Sequence, residues 1–334
     1  MNIRGNYKKC LIFFGTVITM FCLMASYNGT IFQEFLREQK NQLSKLFALR
    51  ELPDSFFSNV HENITIVTAY WDLGTFRKGK KKQHTRHHYE KWASVFEMIL
   101  NPVIVYTDSS VFQSNMENYR SKFTNKTMIY CVNRTKFWPF QLTEQIKAVF
   151  DQPNYPKFYP NTFVPEYSAS QHMKFAVMLD AVQKNPFKTP LYSWLDVGYF
   201  RDIVDDKRYF RLIPPPGFDE SRLGSNEISM KQQNTTASDI FKKNLVWVGG
   251  GMLIGTRDIF IKFESLYQKA VNYFLKQKIM NTDQQIIYAM YTDEGRSSLN
   301  PNVELQTYKY ENCMSSTKNK WFYLGYLCRD IIKY

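Results

Sequence analysis

The chain has 334 residues, and 43 basic against 30 acidic side chains leave a formal charge of +13. Apolar residues make up 44% of it, with 22 Tyr, 27 Phe and 6 Trp, enough for one sizeable core and too many for a long disordered chain. A mean hydropathy of -0.40 excludes a multi-span transporter, so the expectation is one large domain with an appendage.

The appendage comes first. Cys10 to Tyr27 hold no charged residue across 18 positions, which at about 1.5 Å per residue nearly spans a ~30 Å hydrocarbon layer. Arg4, Lys8 and Lys9 precede this run. The positive-inside bias therefore predicts a cytosolic tail over 1–9, a transmembrane signal anchor over 10–27, and a single-pass type II protein facing the Golgi or ER lumen. The alternative is a signal peptide cleaved near Ala25 and Ser26, which would secrete the rest. Either route delivers the remainder to an oxidising compartment, where Cys131, Cys313 and Cys328 permit at most one internal bridge, its pairing open. Sequons at Asn28, Asn63, Asn125, Asn133 and Asn234 agree with a lumenal glycoprotein. Residues 28–61 read as a stem, helical from Phe32 through Phe35, Leu36, Leu43, Leu46 and Phe47 and ended by Pro53. Its apolar stripe suits a homodimer contact, the membrane surface, or packing on the following domain.

From residue 62 to 334, apolar runs and helical patterns alternate, which predicts an α/β domain with a mostly parallel sheet flanked by helices. Ile64 to Tyr70 is a β-branched strand. A basic loop from Gly74 to His88 follows, then a helix with Trp92, Val95, Phe96 and Ile99 on one face, then a strand from Val103 to Thr107. Thr127 to Val132 is a third strand. Pro153, Pro156, Pro160 and Pro165 mark an irregular connection. A helix from Ser168 to Lys184 leads into a strand from Leu191 to Leu195, and Leu245 to Ile254 is a further apolar run. Helices over Arg257 to Gln277 and Asp283 to Tyr291 complete the pattern.

In an open α/β sheet, ligands bind beyond the carboxyl ends of the strands. Three acids close such strands: Asp72, Asp108 and Asp196. A carboxylate at 196, beside Gly198, suits either a hard divalent cation sharing its shell with phosphate oxygens or a turn cap. Gly249, Gly250 and Gly251 weaken a strand unless a ligand, a bulge or a neighbouring helix comes close to its backbone. Thr282, Asp283 and Gln284 open a helix, as a cap or as a carboxylate and amide at a cleft rim that orient or deprotonate an acceptor hydroxyl. The cationic run from Arg77 to Arg86, with His84, His87 and His88 nearby, is a solvated loop or a site for acidic glycans. Nucleic acid is excluded as a partner by the predicted topology. The chain has no Gly-x-Ser-x-Gly, His-Glu-x-x-His, P-loop or G-x-G-x-x-G pattern.

Six segments carry a resemblance: ITIVTAYWDLG (64–74), NPVIVYTD (101–108), PEYSASQHMKF (165–175), LYSWLDVGYFR (191–201), VGGGMLIGTRDIF (248–260) and TDQQIIYAMY (282–291). In this order they resemble the HtrL/YibB family, whose bacterial members accompany lipopolysaccharide-core genes and whose fold is similar to GT-A nucleotide-sugar glycosyltransferases. The resemblance implies a glycosyltransferase that moves a sugar from a nucleotide-sugar donor to a glycan, lipid or protein acceptor, or a non-catalytic carbohydrate- or nucleotide-binding protein of the same fold. It implies that Ala69, Tyr70, Asp72 and Asp108 border the nucleoside and that Lys174 neutralises phosphate. Asp196 looks like the first, Mn- or Mg-binding acid of a D-x-D motif, with Gly198 in place of the second. Gly249 to Gly251 would face the sugar, Trp194, Tyr199 and Trp247 would stack on it, and Asp283 with Gln284 would be the catalytic pair.

Overall fold

The computed structural model describes residues 62–79, 82–310, 317 and 319–332. The chain divides into two compact units, 1–60 and 61–334, and the second holds the described residues. The tail, the apolar run 10–27 and the stem lie outside them. Among the described residues no helix is long and apolar enough to cross a membrane.

Seven strands form one sheet: β1 (Ile64–Tyr70), β2 (Val103–Thr107), β3 (Thr127–Cys131), β4 (Leu191–Leu195), β5 (Leu223–Glu227), β6 (Val248–Thr256) and β7 (Leu305–Lys309). Their order is β7-β5-β6-β4-β1-β2-β3. β1 pairs in parallel with β2 and β4, β2 with β3, and β5 with β7, whereas β6 runs antiparallel to β4 and β5. The domain is thus mixed α/β with a mostly parallel sheet. Every residue of β2 and β4 is buried. Side chains alternate between faces, so both faces of these strands are covered, which is why they read as continuous apolar runs.

The helices follow their sequence signals. α1 (Arg86–Ala93) begins after Thr85 and continues as a 3-10 turn over Ser94–Met98. α2 (Ser110–Tyr119) is capped by Ser109, whose hydroxyl accepts from the Phe112 amide at 3.3 Å. α3 (Thr143–Phe150) precedes α4 (Pro165–Lys184), which starts on a proline, where the missing N–H costs nothing, and stops at Asn185 with φ 42°. α5 (Arg257–Lys276) and α6 (Asp283–Met290) pack against α4 and β6. Arg120, just past α2, is 1% exposed and donates to the Phe96, Ile99 and Asn101 carbonyls, tying α2 to the chain entering β2.

Two features depart from the sequence expectations. The basic loop contains a short hairpin, Phe76–Lys78 with Lys82–His84. β5 and β7 were not expected. β5 reads LGSNE, and Ser225 and Asn226 are buried because the Ser225 hydroxyl donates to the Gly249 carbonyl at 3.1 Å while Asn226 bonds the Lys320 carbonyl and Leu324 amide. Among the described residues, Cys131 and Cys328 both carry free thiols, one exposed and one buried, so no bridge joins them. Cys313 lies outside the described residues.

His172 on α4 is fully buried, with Nδ1 2.6 Å from the Tyr267 hydroxyl. Burial lowers its pKa from 6.5 to about 3. The folded state thus holds it neutral, and the unfolded state takes up a proton first, so stability present above pH 6.5 is lost as pH falls toward 3. We expect this one group to remove about 2 kcal/mol between pH 8 and pH 5. Urea denaturation should show that loss in the wild type and a correspondingly shallower one in His172→Gln.

Candidate active site

A cleft of about 830 Å³ opens beyond the carboxyl ends of β1 and β4. Because β6 is antiparallel, its amino-terminal end, with the glycines, meets the same edge. α4 supplies Tyr167, Ser170, Gln171 and Lys174, spaced i, i+3, i+4 and i+7 and therefore on one helix face. The start of α6 supplies Thr282, Asp283 and Gln284, and the segment after β4 supplies Asp196 to Tyr199, Arg201 and Asp202.

At the floor sits a charge cluster. Lys174 and Asp283 are nearly sealed, with side chains 4% and 2% exposed, whereas the Asp196 side chain is 42% exposed. The Lys174 ammonium donates to Asp283 Oδ2 and to the Gly250 carbonyl, each at 2.8 Å, and lies 3.4 Å from Asp196 Oδ1. Asp196 Oδ1 also accepts from the Trp194 indole at 2.8 Å, and the Asp196 amide donates to the Gly251 carbonyl at 2.8 Å. Burial works against the Lys174 charge, but Asp196, Asp283 and the hydrogen bond to Asp283 outweigh it and push its pKa up.

This cluster explains the glycines. The β5–β6 register jumps between Ser225, opposite Leu253, and Asn226, opposite Gly249, so residues 250–252 form a bulge. A Cβ on Gly250 would lie 2.1 Å from Asp283 Oδ2 and 3.0 Å from Lys174 Nζ. A Cβ on Gly251 would lie 3.0 Å from the Tyr199 ring and 3.6 Å from Asp196 Oδ2. Gly250 and Gly251 line the cleft. Gly249 does not, since its side-chain direction faces Ile228 at 3.3 Å.

Of the other residues singled out in the sequence, Ala69, Tyr70, Trp194, Gly198 and Gln284 also line the cleft. Burial, then the Asp72 carboxylate, push the Tyr70 hydroxyl up to about 12, so it stays neutral. Asp72 and Asp108 are not among the residues that line the cleft, and each is paired with an arginine. Arg86 holds Asp72 Oδ2 at 2.9 Å, Arg134 is paired with Asp108, and the Asp72 amide donates to Asp108 Oδ1 at 2.9 Å. Tyr199 lines the cleft but is 1% exposed, its hydroxyl accepting from the Gly325 amide at 3.0 Å. Trp247 packs on Tyr288 and Tyr291 instead of lining it. Of the basic run, Lys78 and His84 reach the cleft.

Gly198 accounts for the departure from D-x-D. Its Cβ position lies 2.7 Å from the Trp92 ring, and Trp92 is wedged against His84, Tyr89 and Arg201. A second aspartate does not fit there. Gly198→Asp should lower the unfolding free energy by about 1 to 3 kcal/mol through overpacking, measured by urea denaturation, and should not add a cation ligand.

Among the described residues no three His, Cys, Asp or Glu side chains converge as a metal site. Asp196 Oδ2 accepts no hydrogen bond from any described residue and is a hard carboxylate oxygen. The residues therefore fit a Mn or Mg ion only as a single protein ligand, with the other positions left to phosphate and water.

Sequence reasoning missed Arg201, whose guanidinium lies 4.9 Å from the Trp92 ring centre and 4.7 Å from that of Phe322. It also missed Asn319, Trp321 and Phe322, which line the cleft from the far end of the chain. In the sequence Trp92 reads only as part of an apolar helix face, and Phe322 carries no signal.

Among relatives, protein HtrL of Escherichia coli (strain K12) is 24% identical over 243 residues, covering 68% of this chain and 83% of that protein. Among solved structures, the apo form of mouse xyloside xylosyltransferase 1 aligns at TM-score 0.36 and 10% identity, over 73% of this chain and 84% of that one. Core-mannan synthase A of Aspergillus fumigatus, in its Mn/GDP form, aligns at TM-score 0.33 and 10% identity, over 75% and 73%. The family described as "Bacterial protein of unknown function (HtrL_YibB)" matches residues 62–298, which takes in six of the seven strands and the whole charge cluster. The chain therefore belongs to the HtrL/YibB family.

Proposed function

We propose that this protein is a glycosyltransferase with a GT-A-like domain, moving a sugar from a nucleotide-sugar donor to a glycan, lipid or protein acceptor. The observation that carries the reading is the Asp196–Lys174–Asp283 cluster at the floor of a cleft beyond the carboxyl ends of the parallel strands. An open crevice at that edge, with mixed charge and aromatic walls, suits a nucleotide sugar.

In the reaction, an acceptor oxygen bonds to the anomeric carbon while the bond from that carbon to the diphosphate oxygen breaks. The nucleoside diphosphate leaves with the electron pair, and the acceptor proton passes to a base. Asp196, half-exposed with Oδ2 open, is the carboxylate a ligand reaches. Asp283 is held by Lys174, and its part is to fix that ammonium under Asp196 and the Gly250 carbonyl. Gln284 lines the cleft and makes no hydrogen bond to a described residue, and its amide contacts the sugar or acceptor. A cation on Asp196 would supply positive charge for the departing diphosphate.

The same reading places residues 10–27 in the membrane and the domain in the Golgi or ER lumen, with the stem as the contact for a second copy. Incubating the full-length protein with a panel of UDP- and GDP-sugars tests it. We expect release of the nucleoside diphosphate from at least one donor, and a loss of about a hundredfold or more in Asp196→Asn with its melting temperature kept. Asparagine preserves the acceptor for the Trp194 indole and leaves Lys174 balanced by Asp283. Binding without turnover would instead select the non-catalytic nucleotide-binding reading, which the steric exclusion of a second acid at Gly198 favours.

A further inference from the structure

We propose that Arg201 is the residue that grips the diphosphate of the donor. This inference rests on the nucleotide-sugar reading above and adds a residue the HtrL/YibB resemblance does not mark.

The cleft is lined by three cations, Lys78, Lys174 and Arg201, and three carboxylates, Asp196, Asp202 and Asp283. Formal charge therefore cancels, and a dianionic or trianionic ligand needs a cation whose donors are not already used. Lys174 does not qualify, because its ammonium is engaged by Asp283, the Gly250 carbonyl and Asp196. Arg86 and Arg134, at the nearby strand ends, are tied to Asp72 and Asp108. Lys78 sits on an exposed short hairpin.

Arg201 differs from all of these. It is half-buried, on a short 3-10 turn five residues beyond Asp196. Its guanidinium carbon lies 4.9 Å from the Trp92 ring centre and 4.7 Å from that of Phe322, within cation–π reach of both. Among the described residues it makes no ion pair or hydrogen bond, and its Nε is buried without a partner. Arg201 lines the cleft, so its remaining N–H donors are the ones a ligand there would pair. A planar fork of N–H donors suits an oxyanion that accepts two bonds at once, as phosphate oxygens do. The position agrees, because the buried Tyr167 hydroxyl feels the charges of Lys174, Asp196, Asp283 and Arg201 together. The free guanidinium therefore belongs to the same electrostatic neighbourhood as the charge cluster.

Equilibrium binding of UDP, GDP, pyrophosphate and glucuronate to the full-length protein in detergent and EDTA tests the assignment. We expect UDP or GDP, and pyrophosphate more weakly, to bind the wild type without a metal. Arg201→Gln should weaken both by about tenfold or more, and Arg201→Lys, which keeps charge but loses the fork, should fall between. Unchanged diphosphate affinity in Arg201→Gln would overturn the proposal, as would a loss confined to glucuronate, which would make Arg201 a carboxylate site. If Arg201→Gln does not fold, Arg201→Lys decides: weaker diphosphate binding at an unchanged melting temperature supports the assignment, and equal binding overturns it. Wild-type protein that binds pyrophosphate through Arg201 but gains nothing from a nucleoside would sink the nucleotide-sugar reading and leave Arg201 as an oxyanion site. Wild-type protein that binds neither would sink both.

Discussion

Lys174→Met is expected to lower the unfolding free energy by about 3 to 5 kcal/mol, the usual cost of breaking a buried ion pair from one side. Methionine nearly matches the lysine stem in volume, so the effect isolates the ammonium. Its removal leaves Asp283 almost fully buried with no cation, strips the Gly250 carbonyl of its donor, and leaves two carboxylates facing each other across the space. The double variant Lys174→Met/Asp283→Asn removes the unpaired charge as well and should recover a large part of the loss, because deleting both partners costs less than orphaning one. Urea denaturation of the wild type, both single variants and the double variant gives the coupling directly. The raised Lys174 pKa fixes the sign of the pH dependence: its stabilisation is fully present below about 10.5 and is lost only as pH rises through the higher folded-state value. The coupling should therefore be flat from pH 6 to pH 9, which separates it from the acid-side loss caused by His172.

Gly250→Ala should cost about 3 kcal/mol and abolish any turnover. A methyl group there would occupy space 2.1 Å from Asp283 Oδ2. A flexible surface side chain would swing aside cheaply, but Asp283 is short, buried and held by Lys174, so the methyl must either break the ion pair or push the β6 bulge out of the sheet. Gly249→Ala is the control. Its Cβ would meet Ile228 at 3.3 Å and the Asn226 Cβ at 3.6 Å, neither of them in the charge cluster, so denaturation should shift little and donor turnover should persist. Equal effects at the two positions would mean that the glycines serve the strand and not the cluster.

How much of this was legible depended on whether a residue's partner was near in sequence. β1, β2, β4 and the long helices were readable because strands covered on both faces show as apolar runs, and helices packed on one side show a 3.6-residue period. β5 was not, because its buried polar residues are satisfied by Gly249, Lys320 and Leu324, contacts that exist only after folding. The strand-end rule found Asp196, and the glycine beside it set it above Asp72 and Asp108, but only the fold reveals that Arg86 and Arg134 pair with those two. Lys174 was marked by resemblance alone, since a lysine within an apolar helix gives no hint of two carboxylates from other elements. Gly198 showed as a missing acid, and its reason, the wedged Trp92 ring, required coordinates. Arg201 carried no local signal, because the aromatic rings that hold it come from positions 92 and 322.

The most direct measurement is hydrogen–deuterium exchange of the full-length protein with and without the nucleotide sugar that it turns over fastest. The account predicts slowed exchange in the segments that build the cleft, residues 69–76, 165–175, 194–202, 249–252 and 282–285. Protection that appears elsewhere, or none at saturating concentrations of any UDP- or GDP-sugar, would contradict it.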